Sequence, residues 1–339
     1  MASRKRRSRR PARPQQPDSG PRRLGAQAAP TPRSASADRR YQRAHRQGSS
    51  RLSWVAVGVV IVVAAVLVIV KVTGSNGSGS GGVASGDNPA SAPAQVVAVM
   101  TKIPLSTFNA VGTGGQADPF VETKDQPTLG QDGLARVVYV GAEYCPYCAI
   151  LRWSLVAALS RFGTFQGLKE TSSSADVAPI PTFSFLGSTY TSKYIRFTPY
   201  ETNDRNGGAL QKLPASVEKL YTTYDGTATK TTKFTGGSQS GIPFLDIANE
   251  HVSSGDASFL DPTVDPLAGG GPGMLRISQA IAHPSSTVAK AIDAEAFVIE
   301  ANYMTAAICR SDGGRPSSVC ATPGVRAAEK VIAAAKRIS

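Results

Sequence analysis

Residues 54–70 read WVAVGVVIVVAAVLVIV, seventeen positions without a charge. Such a run must be hidden from water, and core helices of soluble domains rarely lack every polar residue for that length. Extended through Lys71 and Val72, with the lysine snorkelling to the interface, it is long enough to cross a bilayer as one helix. The run therefore divides the chain into a segment before the membrane, residues 1–52, a transmembrane helix at 53–72, and everything that follows.

The charge is distributed in step with that division. Residues 1–51 hold fifteen of the 37 Lys and Arg but only two acids, Asp18 and Asp38, while the remainder carries as many acids as bases. The first segment is rich in Arg, Pro, Ser and Ala and nearly free of large apolar residues. It cannot bury enough surface to offset chain entropy, so it reads as a disordered basic tail. Its positive charge abuts the apolar run at Arg51, which keeps the N-terminus cytoplasmic and places the C-terminal part outside. Topology alone accounts for these charges; contact with nucleic acid or anionic lipid is the other reading. The neutral remainder gives no electrostatic reason to expect nucleic-acid binding. Ala90-Ser91-Ala92 has the small residues of a signal cleavage site, but it lies some twenty residues past the apolar run, and the basic leader is longer than an ordinary n-region. An uncleaved signal anchor is expected.

Residues 73–94, TGSNGSGSGGVASGDNPASAPA, form a Gly/Ser-rich linker with a coil-like reach of about 25 Å. From Gln95 the apolar residues return, and residues 95–339 are expected to fold as one domain. Arg136–Gly141 is a short β-branched run, as in a central strand covered on both faces. From Pro146 the period turns helical, with Leu151, Leu155, Leu159 and Phe162 on one stripe and Gly163 as the C-cap. Residues 171–238 are rich in Ser, Thr, Gly and Tyr and read as an insertion or lid, with weak strand patterns at 182–186 and 194–198 and a helix at 214–224. Gly241–Ile247 reads as a loop entering a strand, and helices are predicted at 274–282, 287–307 and 325–338.

Four cysteines, Cys145, Cys148, Cys309 and Cys320, all lie beyond the apolar run. Cys145-Pro146-Tyr147-Cys148 falls at the start of the predicted helix, where unpaired N–H groups and the positive end of the dipole favour a thiolate. Cys145 is then the attacking sulfur. Pro146 suits the first helical turn, where its missing donor has no partner, and Cys148, one turn deeper, resolves a mixed disulfide. A zinc site would recruit Cys309 and Cys320, but the ten residues between them do not match a usual second knuckle. A bridge closing so small a loop as 145–148 would offer little stabilisation. Cys309 and Cys320, late in a helix and after a Gly-Gly-Arg-Pro turn, suit a structural disulfide, with a second redox pair as the alternative.

Strand, Cys-Pro-Tyr-Cys, helix and a later Ile242-Pro243 before a strand resemble the thioredoxin superfamily. More narrowly, the segments GAEYCPYCAILRWSLVAALSRFGTF, FSFLGSTYTSKYIRF, IPFLDIANEH and ANYMTAAICRSDGGRPSSVC resemble the family catalogued as domain of unknown function 929. The resemblance covers most of residues 95–325. It implies an α/β fold with a thioredoxin-like central sheet flanked by helices and carrying a long insertion. It also implies a cis Ile242–Pro243 bond facing the cysteines, an ordinary trans bond being the alternative. Ile242 would pair with a substrate strand, with Pro146 and Tyr147 beside it. The acid that assists proton transfer in thioredoxins precedes the motif by more residues than Glu143 does, so Glu143 is expected at the surface, a proton acceptor being the alternative. His45, His251 and His283 have no ligand or catalytic spacing.

The expected activity is membrane-anchored thiol-disulfide exchange at Cys145 and Cys148, with Pro243 shaping the substrate groove and no cofactor beyond the redox-active disulfide. The location suggests oxidation or isomerisation of exported thiol-containing proteins, recycled by a quinone-linked membrane enzyme; a reductase would use the same residues. The competing readings are a thioredoxin-like binding scaffold with locked cysteines and a metal-handling protein.

Overall fold

The computed structural model of the chain describes residues 89–123, 127–174, 179–224, 241–255 and 272–334. The predicted tail, the predicted transmembrane helix and the linker up to residue 88 lie outside the described residues. Among the described residues no helix is long and apolar enough to cross a membrane.

In chain order the elements are α1 (Ala94–Met100), α2 (Leu105–Val111), β1 (Val121–Glu122), β2 (Gly130–Gln131), β3 (Leu134–Gly141), α3 (Pro146–Leu159), β4 (Gly163–Gln166), β5 (Lys169–Ser172), β6 (Pro181–Ser184), β7 (Thr189–Ser192), β8 (Ile195–Glu201), α4 (Ala215–Tyr224), β9 (Phe244–Ile247), β10 (His251–Ser254), α5 (Met274–Ala282), α6 (Thr287–Ala291), α7 (Ala294–Ser311), α8 (Ser317–Cys320) and α9 (Pro323–Ala334). Six of the strands form a mixed sheet in which β3 pairs in parallel with β8 and antiparallel with β9, β9 continues to β10 and β1, and β2 pairs with the start of β3.

Alternation along β3 assigns its side chains to two cores. Val137 and Tyr139 join Leu245 and Ile247 of β9 beneath α3 and α7, whereas Val138 and Val140 join Phe244, Val252 and the α4 residues Val217 and Tyr224 on the opposite face. The domain is therefore layered as α4, sheet, then the helices led by α3 and α7. Every residue of α3 from Cys148 to Leu159 is buried, because the helix has neighbours on all sides. The sheet and α7 cover two of them. The β5–β6 hairpin covers a third, where the Trp153 indole Nε1 donates to the Pro181 carbonyl at 3.1 Å and the Thr182 hydroxyl donates to the Ala149 carbonyl at 2.6 Å. Each large apolar side chain buried this fully contributes about 1.5–3 kcal/mol relative to exposure.

Four expectations are corrected. The stretch 171–238 is not one insertion, because β8 inside it lies along the whole of β3, from Ala135 opposite Ile195 to Gly141 opposite Glu201. Apart from the six-stranded sheet stand two small two-stranded sheets, β4–β7 and β5–β6, whose short Ser/Thr-rich strands resemble loop sequence. Gly163 does not cap α3 but opens β4, where a Cβ would collide with Tyr190 and the Thr191 carbonyl. The single helix predicted for 287–307 is broken at Ile292–Asp293, where Asp293 takes a φ of +47° and Ile292 enters the core; an aspartate tolerates this left-handed geometry better than most residues. The folded part begins before Gln95, since Ala92 N–H donates to the Leu168 carbonyl at 2.9 Å and Glu170 N–H to the Ala90 carbonyl at 2.8 Å.

Candidate active site

The apolar strand β3 ends at Gly141, and the chain turns through Ala142, Glu143 and Tyr144 into α3. Cys145 is the N-cap of that helix: its backbone is extended, and its sulfur accepts the Cys148 N–H at 3.2 Å. Pro146 occupies the first helical position, where no N–H partner is needed. The turn is held at both neighbours, with Cys145 N–H donating to the Ala142 carbonyl at 3.2 Å, Glu143 N–H to Asn203 at 2.8 Å and Ser174 N–H to the Tyr144 carbonyl at 2.9 Å.

The two sulfurs are free thiols with opposite tendencies. Cys145 keeps 5 % exposure and Cys148 none. The hydrogen bond from the Cys148 thiol pulls the Cys145 thiol below its ordinary range; burial opposes this, and the backbone N–H groups of Cys148 and Tyr147 and the charge of Arg152 assist it. Burial pushes the Cys148 thiol well up, and the bond it donates to Cys145 pushes it further. One sulfur is thereby prepared to carry negative charge and the other to keep its proton, as attack and resolution require.

The loop Gly241–Pro243 faces this pair. The Cys145 sulfur lies 3.6 Å from the Ile242 carbonyl oxygen, and the Ile242–Pro243 bond is cis. The Ser254 hydroxyl of β10 donates to the Gly241 carbonyl at 2.8 Å and accepts the Gly241 N–H at 3.3 Å, while Gly255 N–H donates to the Pro243 carbonyl at 3.0 Å. Gly241 itself has φ +135°, which a side chain would rarely allow. The structure thus brings Cys145, Cys148, Ile242 and Pro243 together, with Pro146 and Tyr147 in the turn between the cysteines. Tyr144, next to Cys145, is one of two exposed large hydrophobic side chains among the described residues.

Glu143 was expected at the surface but is 1 % exposed, and its carboxylate accepts the Thr171 hydroxyl of β5 at 3.0 Å. The position reads as surface in sequence because the hairpin that covers it comes almost thirty residues later. Two further residues, Arg152 and Glu201, lie behind the cysteines and are not among those that the motif singles out. Arg152 on α3 is fully buried and grips Glu201, the last residue of β8, through Nε to Oε1 at 2.9 Å and Nη2 to Oε2 at 2.6 Å. An arginine on an otherwise apolar helix stripe could have prompted a search for a buried acid, but nothing local names Glu201.

Cys309 and Cys320 are paired as a disulfide with Cα atoms 5.6 Å apart, so they do not complete a zinc site with the first pair. Among the described residues no group of three or more metal-ligating side chains is found. A polar cavity of about 740 Å³ opens at the other end of the sheet between Glu122, Glu250, Arg310 and Arg326. Its charges are largely spent on each other, with Arg310 to Glu122 at 2.8 Å and Arg326 to Glu329 at 2.6 Å.

The profile of the family described as Domain of unknown function (DUF929) matches residues 122–309, more than half of the chain, including Cys145, Cys148 and Pro243. The chain belongs to this family. The DUF929 region runs from β1 through α7 and so includes the whole of the site, while Cys320 lies beyond its end. No curated protein and no solved structure matches the chain.

Proposed function

We propose that this DUF929 protein is a thioredoxin-like thiol-disulfide oxidoreductase, anchored by residues 53–72 with its domain outside the membrane, acting on exported thiol-containing proteins. The observation that carries the reading is the Cys145 sulfur at the N-terminus of α3, lowered in pKa, backed by a buried high-pKa Cys148 and set against the Ile242 carbonyl. Further support comes from topology: β3, α3 and β8 form a parallel crossover unit, and the proline loop enters β9 on the other side of β3. These are the parts that the thioredoxin resemblance names.

In the oxidising direction a substrate thiolate attacks Cys145 of the Cys145–Cys148 disulfide. The S–S bond breaks, its electron pair goes to the Cys148 sulfur, and that sulfur takes up a proton. A second substrate thiolate attacks the substrate sulfur of the mixed disulfide and expels Cys145 as a thiolate, leaving the substrate oxidised by two electrons and the enzyme as a dithiol. A stabilised Cys145 thiolate is the better leaving group and favours the reduced enzyme, which supports oxidation over reduction. A quinone-linked membrane enzyme would restore the disulfide. No cofactor or nucleic acid enters this scheme.

The test equilibrates the full-length chain in detergent with graded glutathione buffers and traps free thiols for mass analysis. Reversible titration of Cys145 and Cys148 is expected, with a midpoint nearer −120 mV than −270 mV. A pair that stays locked throughout, or that holds stoichiometric metal, sinks the reading in favour of a scaffold or metal-handling role.

A further inference from the structure

Cys148 and Arg152 are four residues apart on α3 and so lie on one face of the helix, one turn apart. Arg152 has no solvent exposure. Taking a guanidinium out of water costs several kcal/mol, and a buried ion pair is often no more stabilising than apolar residues of the same volume. The surroundings of α3 are apolar and closely packed, so stability alone does not account for an ion pair at this place. The pair does, however, act on the turn that holds the nucleophile. Besides its bond to Glu201, Arg152 Nη2 donates to the Ala142 carbonyl at 2.8 Å, and this is the same oxygen that accepts the Cys145 N–H at 3.2 Å. Glu201 stands opposite Gly141 in the sheet, so one guanidinium ties the ends of β3 and β8 to the helix that carries both sulfurs.

The cation is also incompletely spent. Among the described residues nothing hydrogen-bonds to Arg152 Nη1, and the Tyr139 hydroxyl is likewise buried without a partner. The guanidinium carbon lies 5.9 Å from the centre of the Tyr139 ring. A positive charge in a low-dielectric wall acts strongly on neighbouring sulfurs.

We propose that Arg152 is a positioning residue for the cysteine pair, its guanidinium fixing the Ala142 carbonyl from which Cys145 hangs and presenting a buried positive charge to both sulfurs. The assignment rests on the oxidoreductase reading. Arg152 acts through Cys145 and touches no substrate. Its charge favours the thiolate that forms when the disulfide opens, and Glu201 moderates that charge while holding it in place. Attraction by Arg152 is among the forces that lower the Cys145 thiol, and it opposes without overcoming the rise of the Cys148 thiol.

The experiment measures the pH profile of Cys145 alkylation by iodoacetamide, and the glutathione equilibrium, in the full-length chain and in the Arg152→Met, Arg152→Lys and Glu201→Gln variants. Removing the buried charge is expected to move the Cys145 profile up by about a unit in Arg152→Met, a roughly tenfold loss of thiolate below the pKa. At pH above the shifted pKa the disulfide form should gain up to tenfold in the equilibrium, about 30 mV for the two-electron couple. Arg152→Lys restores most of both. Glu201→Gln, which leaves the cation without its counter-charge, moves the profile in the opposite direction. A merely structural pair would not produce shifts of opposite sign. Unchanged profiles in folded variants overturn the assignment; should Arg152→Met not fold, an unchanged or upward profile in Glu201→Gln does so. The alkylation profile needs no redox cycling, so it judges Arg152 even where wild-type protein fails the glutathione titration. That failure counts against the oxidoreductase reading alone.

Discussion

The sulfur of Cys145 and the carbonyl oxygen of Ile242, 97 positions apart in the chain, stand 3.6 Å from each other. In the proposed reaction the backbone before β9 borders the approach of a substrate sulfur to Cys145, and Cys148 lies behind with no solvent exposure. In Cys148→Ser nothing inside the protein resolves the mixed disulfide. Incubated with an oxidised peptide disulfide, that variant is expected to accumulate at least tenfold more Cys145-linked adduct than wild type, read by intact mass. Cys145→Ser should form none.

The divergence of the two thiols predicts selective modification. In fully reduced protein at pH 7, iodoacetamide should label Cys145 more than tenfold faster than Cys148, because thiolate is the reacting species and Cys148 is both buried and held protonated. Labelling of Cys145 should rise with pH and level off below the pH usual for a free cysteine. Peptide mapping after timed quenching reads both rates, and equal labelling would contradict the assigned roles.

Asp246 on β9 predicts a stability effect on the other face of the sheet. Burial raises its carboxyl from 3.8 to about 7, the Asn249 N–H and the charge of Arg136 oppose the rise, and the charge of Glu250 adds to it. A folded pKa above the unfolded value means that the folded state binds the extra proton. The stabilisation is complete below about pH 4 and is lost as pH rises towards 7. Asp246→Asn keeps the acceptor for Asn249 N–H without the charge. It should therefore gain on the order of 2–4 kcal/mol relative to wild type between pH 4 and pH 8, measured by urea unfolding at both values. A constant difference across that range would show that the carboxyl does not titrate there.

The Cys309–Cys320 bridge closes a short loop between α7 and α8, with a sequence separation of 11. Replacing both cysteines by alanine should cost about 3 kcal/mol in the chain-entropy view. The reactivity of Cys145 should stay the same, because the bridge touches neither sulfur of the first pair. A parallel loss of Cys145 reactivity in folded double variant would assign the second pair a redox role.

What could be read from the sequence was what short stretches dictate. The β-branched run of β3, the Cys-Pro-Tyr-Cys turn opening α3, the Ile-Pro loop before β9 and the boundaries of α5 at 274 and 282 follow from local periodicity, helix capping and the special backbone demands of proline and glycine. These features state their own chemistry within a few residues. The pairing of Cys309 with Cys320, apart from Cys145 and Cys148, was legible for the same reason, since a helix N-terminus and a Gly-Gly-Arg-Pro turn are local environments. Tertiary structure decided everything that depends on which distant segments meet. β8, a strand of Thr, Pro, Tyr and Arg among its apolar residues, reads as part of an insertion until β3 supplies its hydrogen-bond partner. Glu143 reads as a surface acid until β5 covers it. Arg152 reads as one more polar position on a helix until Glu201 and the Ala142 carbonyl close around it. Burial and electrostatics are properties of the space around a residue, and that space is assembled from parts of the chain far apart in sequence.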